Sequence, residues 1–258
     1  LMTSSGGIIR GIESWPEYIL ASTLVEFGHD VTVLSSSSVI GKHDAKKKEV
    51  IDGINVVRFN PVIPSSFLHI MRNKWDIIHM HHLGYLAPIS SYAALAVKIR
   101  KLPSVFTVHG IYHDPYLVSD AEDPFSHKIN QSIQYVFPYL YPWKIPNWFV
   151  HLPMINADRI TALTAWESKE LERLGVEKSK IEVVPNGIEL KKYNNTKEKN
   201  YFKKKGIDGD ILLFVGQPSR RKGWEYFLRA MPGILKKNEN AKAVFVGYRN
   251  DKKVESLC

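Results

Sequence analysis

Short apolar runs that stop at a glycine, serine or histidine, separated by stretches with helical spacing, recur along this chain and restrict what it can fold into. Val31–Leu34, Ile54–Phe59, Asp76–His81, Ser104–Gly110, Arg159–Thr164 and Ile181–Val184 each have the length of a buried strand. Ile211–Gly216 and Ala243–Gly247 repeat the pattern near the end. Between them lie helical patterns through Tyr18, Ile19, Ala21, Leu24 and Val25, over Tyr92–Lys98, through Glu167, Leu171 and Leu174, and over Trp224–Lys236. Strands that alternate with helices predict an α/β fold with parallel sheets built from βαβ units. The first helix carries start and stop signals. Ser14 as N-cap, Pro16 in the first turn and Glu17 predict a capping box, and Gly28 predicts the end.

The pattern breaks once. Lys191–Gly206 is strongly basic, and Gly206–Asp210 is turn-like before the next strand. This predicts a domain of residues 1–190 and the start of a second in 191–258. The chain of 258 residues is 44% hydrophobic and 24% charged, which excludes disordered and collagen-like classes. Its one cysteine, Cys258, can form no disulfide within the chain and fits a reducing, cytoplasmic setting. No basic region followed by an apolar run opens the sequence, so no signal peptide is expected. No apolar stretch reaches the roughly 18 to 20 residues of a spanning helix. The formal net charge of +9 suits phosphates, nucleic acids or anionic lipid and does not choose among them.

Phe214–Gly223 carries the clearest chemistry. An apolar strand ends at Gly216, passes through Arg220, Arg221 and Lys222, and enters a helix near Gly223. Backbone N–H groups and the helix dipole favour an anion at such a turn. Two guanidinium forks and an ammonium would add to that, and a diphosphate is the natural ligand. A solvated basic loop explains the same residues equally well on chemistry alone. His109 ends a strand and precedes Gly110, which sets an imidazole at the carboxyl edge of a parallel sheet, where ligands bind in open α/β folds. His79 and His81 share one face of a strand, where cleft lining and plain packing are both preferred to a metal site. Asp208-Gly209-Asp210 is read as turn chemistry, and no metal is expected.

These pieces together resemble the retaining glycosyltransferases of family 4, which have the GT-B fold of two Rossmann-like domains. The resemblance lies in the order and spacing of Gly6-Gly7, "EFGHDVTVLS", "DIIHMHH", "FTVHG", "ADRITALTAWESKEL", "IEVVPNGIE" and "FVGQPSRRKGWEYFLRAM". It implies transfer of a sugar from a nucleotide diphosphate-sugar to an acceptor hydroxyl, with retention and without a resident cofactor. The first domain would serve the acceptor and the second the donor. Gly6 and Gly7 would approach the donor phosphates, His109 the donor sugar, and Lys222 with Arg220 and Arg221 the diphosphate. His79, His81, Asn186 and Gly187 would line the cleft.

Departures from the family pattern set further expectations. Gln217 stands where an arginine is usual, and the loop after Gly7 is longer than expected. The first domain is expected to lack its first strand, and the second the acidic pair that holds sugar and ribose, so that this chain alone would be inactive. The segment "YVFPYLYPWKIPNWFVHLPMI" suits core packing and, as a second reading, peripheral contact with the inner face of a membrane or a lipid-linked acceptor in place of a glycan. A sugar-nucleotide epimerase of the same fold is the nearest rival. A nucleic-acid-binding module is disfavoured, because the lysines of 191–205 sit in a linker and do not continue as a basic and aromatic stripe.

Overall fold

The computed structural model describes residues 1–4, 8–11, 15–40, 44–60, 63–81, 88–109, 149, 151–190, 201–216 and 222–247. The chain divides into two units. The first comprises residues 1–112 and 133–189, the second 113–132 and 190–258.

Eight strands of the first unit form one sheet: β1 Met2–Ser4, β2 Thr32–Ser36, β3 Lys48–Ile51, β4 Ile54–Phe59, β5 Ile78–His81, β6 Ser104–Thr107, β7 Arg159–Ala162 and β8 Ile181–Val183. Their spatial order is β3-β4-β2-β1-β5-β6-β7-β8. All neighbours are parallel except β3 and β4. Seven parallel strands therefore run as a doubly wound sheet. The chain winds outward from β1 through β2 to β4, then returns to the other side of β1 with β5. The β1/β5 boundary is the switch point, where the connections on either side diverge and leave a crevice at the carboxyl ends.

One expectation about the sheet changes here. The first strand is present. Met2–Ser4 sits in the middle of the sheet, with Met2 opposite Val33 on one side and opposite His79 on the other. Three residues are too few to show a period, so the strand was invisible in the sequence. The edge strand β3 has no apolar run to announce it, since Lys46, Lys47, Lys48 and Glu49 are all charged. It forms a hairpin with β4 through Asp52 (φ 49°) and Gly53 (φ 79°), the two left-handed residues of a tight hairpin turn.

Helices cover both faces: α1 Pro16–Glu26, α2 Ser65–Arg72, α3 Pro88–Arg100, α4 Leu152–Asn156 and α5 Ala165–Arg173. Alternation within β2 shows the two layers. Val33 joins Met2, Tyr18 and Ala21 of the α1 side, and Leu34 joins Ile70, Ile78, Ile89 and Phe106 of the α2–α3 side. α3 buries Ala93, Ala94 and Ala96, small residues that let the helix approach the sheet closely. The start of α1 differs from the expected capping box. Trp15 is the N-cap without a side-chain bond, and Pro16 is the first helical residue. Glu17 is therefore one position too early for the box. It turns inward, where Ser4 Oγ donates to its Oε1 at 3.4 Å. Ser14 lies outside the described residues. At the other end Gly28 (φ 86°) closes the helix, its N–H bonded to Val25 O at 2.9 Å.

In the second unit, α6 Tyr201–Lys204 precedes β9 Asp210–Val215, α7 Trp224–Leu235 and β10 Ala241–Val246, with β9 and β10 parallel. Asp208-Gly209-Asp210 is the turn that leads into β9, with Asp210 its first residue. Gly209 has φ 113°, Asp208 Oδ1 accepts from Gly209 N–H, and Asp210 Oδ2 accepts from Asn238 Nδ2.

Candidate functional site

The carboxyl ends of β1, β5 and β6 bring three imidazoles together. In β5, Ile78 and Met80 are fully buried in the α2–α3 core, so the period of two puts His79 and His81 on the opposite face. Their rings stack at 4.1 Å between centroids. His109, two residues beyond β6, lies against the outer side of His81, with centroids 5.1 Å apart and planes 25° apart. His81 Nδ1 and His109 Nε2 are hydrogen-bonded at 2.8 Å.

Each imidazole is held in a different way. His79 Nε2 bonds Thr107 Oγ1 at 2.8 Å, and Thr107 in turn bonds Thr161 Oγ1 of β7. Burial, followed by the nearby charge of His109, brings the His79 pKa down to about 4, so this ring is neutral at physiological pH. His81 is 2% exposed. Its backbone N–H donates to Thr3 Oγ1 at 3.0 Å and its carbonyl accepts from Ser90 Oγ at 2.6 Å, while Thr3 and Ser90 bond each other at 2.7 Å. Strand β1, strand β5 and helix α3 are thus knitted together at this one residue. His109 has φ 52°, a left-handed conformation that costs a non-glycine residue about 1 kcal/mol or more and persists only where the surroundings enforce it.

Of the residues singled out in the sequence, the structure therefore unites His79, His81 and His109. Asn186 and Gly187 occupy the exposed stretch after β8, beside α1; a Cβ on Gly187 would lie 4.0 Å from Ile19 Cγ2. Gly6 and Gly7 come one residue after β1 in sequence, and they lie outside the described residues, as do Arg220 and Arg221. In the second unit the Lys222 stem passes the end of β9, its Cγ 3.7 Å from where a Cβ on Gly216 would be. Gly223 (φ 76°) then turns the chain into α7. Among the described residues no group of three His, Cys, Asp or Glu side chains is set to hold a metal ion, and no helix is long and apolar enough to cross a membrane.

The model of the family described as Glycosyltransferase Family 4 matches residues 18–192, more than half of the chain. The chain belongs to glycosyltransferase family 4. Among curated proteins, an uncharacterized glycosyltransferase of Methanocaldococcus jannaschii is 26% identical over 270 residues, covering 93% of this chain and 60% of that protein. A D-inositol 3-phosphate glycosyltransferase of Nocardiopsis dassonvillei is 28% identical over 94 residues, 35% of this chain and 22% of that protein. The chain thus spans about 60% of the first relative's length. Among solved structures, Anabaena HepE with UDP-glucose aligns over 99% of this chain and 63% of its own, at TM-score 0.61 and 14% identity. A UDP-GlcNAc 2-epimerase from Methanocaldococcus jannaschii aligns over 99% and 67%, at TM-score 0.52 and 13% identity. These two likenesses speak to the fold.

In this member of glycosyltransferase family 4, the structure adds residues that the sequence alone did not single out. Thr3, Ser90 and Thr107 hold the imidazoles, and no local signal marks them, because the sheet order alone brings them together. Gly247, after β10, is a second addition. It has φ 106°, and a Cβ there would come 2.4 Å from Gly216 O, so the ends of β9 and β10 meet through bare backbone next to Lys222. Its signal was visible, a glycine closing an apolar strand.

Proposed function

We propose that the protein transfers a hexosyl group from a nucleotide diphosphate-sugar to an acceptor hydroxyl, with retention. The observation that carries this reading is the three-imidazole stack at the switch-point end of the sheet, in a chain of glycosyltransferase family 4. Residues 1–190 serve the acceptor side, and 191–258 belong to the domain that holds the donor. His109 meets the donor sugar. Lys222, Arg220, Arg221 and the loop N–H groups take the diphosphate, where negative charge grows as the sugar departs. Gly6 and Gly7 let backbone approach the same phosphates, and His79, His81, Asn186 and Gly187 line the approach. The nucleotide sugar is substrate, and no resident metal or cofactor enters the reading.

Solved structures similar in fold hold UDP or UDP-glucose, which supports a uridine donor as the first to try. The acceptor is a glycan or a lipid-linked glycan, with the protein in the cytoplasm or at the inner face of the membrane. The test is to incubate residues 1–258 alone, expected to be inactive, and the same residues within the full-length enzyme with a panel of nucleotide sugars, UDP-glucose first, with and without membrane and glycan extracts, and to measure released nucleoside diphosphate and sugar incorporated into extract. Acceptor-dependent release with incorporation supports transfer. Interconversion of UDP-GlcNAc without an acceptor would replace it with the epimerase reading.

A further inference from the structure

We propose that His81 is a positioning residue, which through its bond to His109 fixes the ring orientation and the tautomer in which His109 meets the donor sugar. The inference rests on the reading of His109 as the sugar-facing group. His81, at 2% exposure, is too enclosed to be the principal sugar contact itself. Its backbone is tied on both sides by buried hydroxyls, Thr3 and Ser90, and its ring lies between His79 at 4.1 Å and His109 at 5.1 Å.

The 2.8 Å bond between His81 Nδ1 and His109 Nε2 holds one proton. If His81 donates, neutral His109 carries its proton on Nδ1. If His109 donates, the proton is on Nε2. In either case the tautomer of one ring dictates that of the other. Two imidazolium rings would set N–H against N–H and break the bond, so the pair carries at most one positive charge while it stays intact. His109 needs such a restraint. Its left-handed backbone (φ 52°) is unfavourable on its own, and it sits at the end of a strand where an unrestrained ring would sample several rotamers. A group that must present a defined donor or acceptor to a sugar hydroxyl gains from a fixed partner on its other side. Histidine ligands of metals are held by the same logic, and loss of such a partner typically costs about 10- to 100-fold.

The test compares His81→Asn, His81→Gln and His81→Leu. The asparagine amide reaches the place of Nδ1 and can renew the bond to His109. Glutamine reaches the place of Nε2 instead, and leucine keeps bulk without the bond. Long-range 1H–15N spectra of the imidazoles in the ligand-free protein read the tautomer directly. The wild type should show His109 in one fixed tautomer, His81→Leu and His81→Gln should show an average of two, and His81→Asn, whose amide can donate or accept, should restore a hydrogen-bonded His109 Nε2. An unchanged His109 pattern in these last two overturns the proposal, and His81→Gln keeps the test available should His81→Leu fail to fold. Turnover of UDP-glucose, or of the panel sugar the protein uses, should fall about 10- to 100-fold in His81→Leu and recover in His81→Asn, with nucleoside diphosphate affinity unchanged. The double variant with His109→Ala should be no slower than His109→Ala alone. If His109→Ala turns over normally, the site reading fails. If it is slow while His81→Leu and His81→Asn behave alike, only the positioning role falls.

Discussion

A neutral histidine inside a fold is a liability in acid, and His79 makes that liability measurable at the scale of one residue. In the unfolded chain an imidazole takes up a proton near pH 6.5, whereas the folded chain withholds it until about pH 4. Between those values the unfolded state binds more protons, so stability falls as the pH drops from 6.5 to 4 and is unaffected by this group above 6.5. The full loss is up to about 3 kcal/mol. Urea unfolding at pH 7.5 and 4.5 should show a larger loss for wild type than for His79→Gln, which can keep a bond to Thr107 without titrating. Equal losses would remove His79 as the source. Glu49 does not confuse the comparison. Burial pushes its pKa up, but the Arg58 bond and other contacts outweigh this and hold it below 4.5, and both proteins share it. The histidines themselves were legible, since each stands at the end of an apolar run. What each one bonds was not, because Thr107 lies 28 residues from His79 in sequence and Thr3 lies 78 from His81.

Arg58 sets the geometry of several elements at once. It is fully buried near the end of β4 and donates to Ile8 O at 2.6 Å, to Lys46 O, and to Glu49 of β3. Arg10 adds a bond to Val50 O at 2.7 Å. The segment that follows Gly6-Gly7 is thereby tied to the β3–β4 hairpin. Removing one partner of a buried ion pair strands the other, at a cost of about 3 to 5 kcal/mol. Arg58→Met should therefore destabilise the first unit by about 3 kcal/mol in urea unfolding, and Glu49→Gln in the same background should recover part of it. A loss below about 1 kcal/mol would show that the pair is not a structural tie. Strands with long apolar runs were readable in the sequence, and β4 spans Ile54–Phe59 as expected. The short central strand β1 and the charged edge strand β3 were not, because pairing and a hairpin turn stabilise them where hydrophobic pattern does not. Pro16 likewise moved the start of α1 away from Ser14 by setting the first helical residue.

Across the whole molecule, the family and the doubly wound sheet were legible because many weak segments occur in one order over most of the chain. The proposed donor chemistry is divided between two places in sequence, an imidazole after β6 and a lysine before α7. The division predicts separable effects. His109 should act on the transfer step, and Lys222 on the diphosphate that donor and product share. The most direct measurement is calorimetric titration of nucleoside diphosphates, UDP first, into wild type, Lys222→Ala and His109→Ala. Lys222→Ala should bind more weakly by about 1.5 to 3 kcal/mol, roughly 10- to 150-fold, while His109→Ala retains wild-type affinity. Unchanged affinity in Lys222→Ala, or binding of no nucleoside diphosphate by the wild type, would contradict the account.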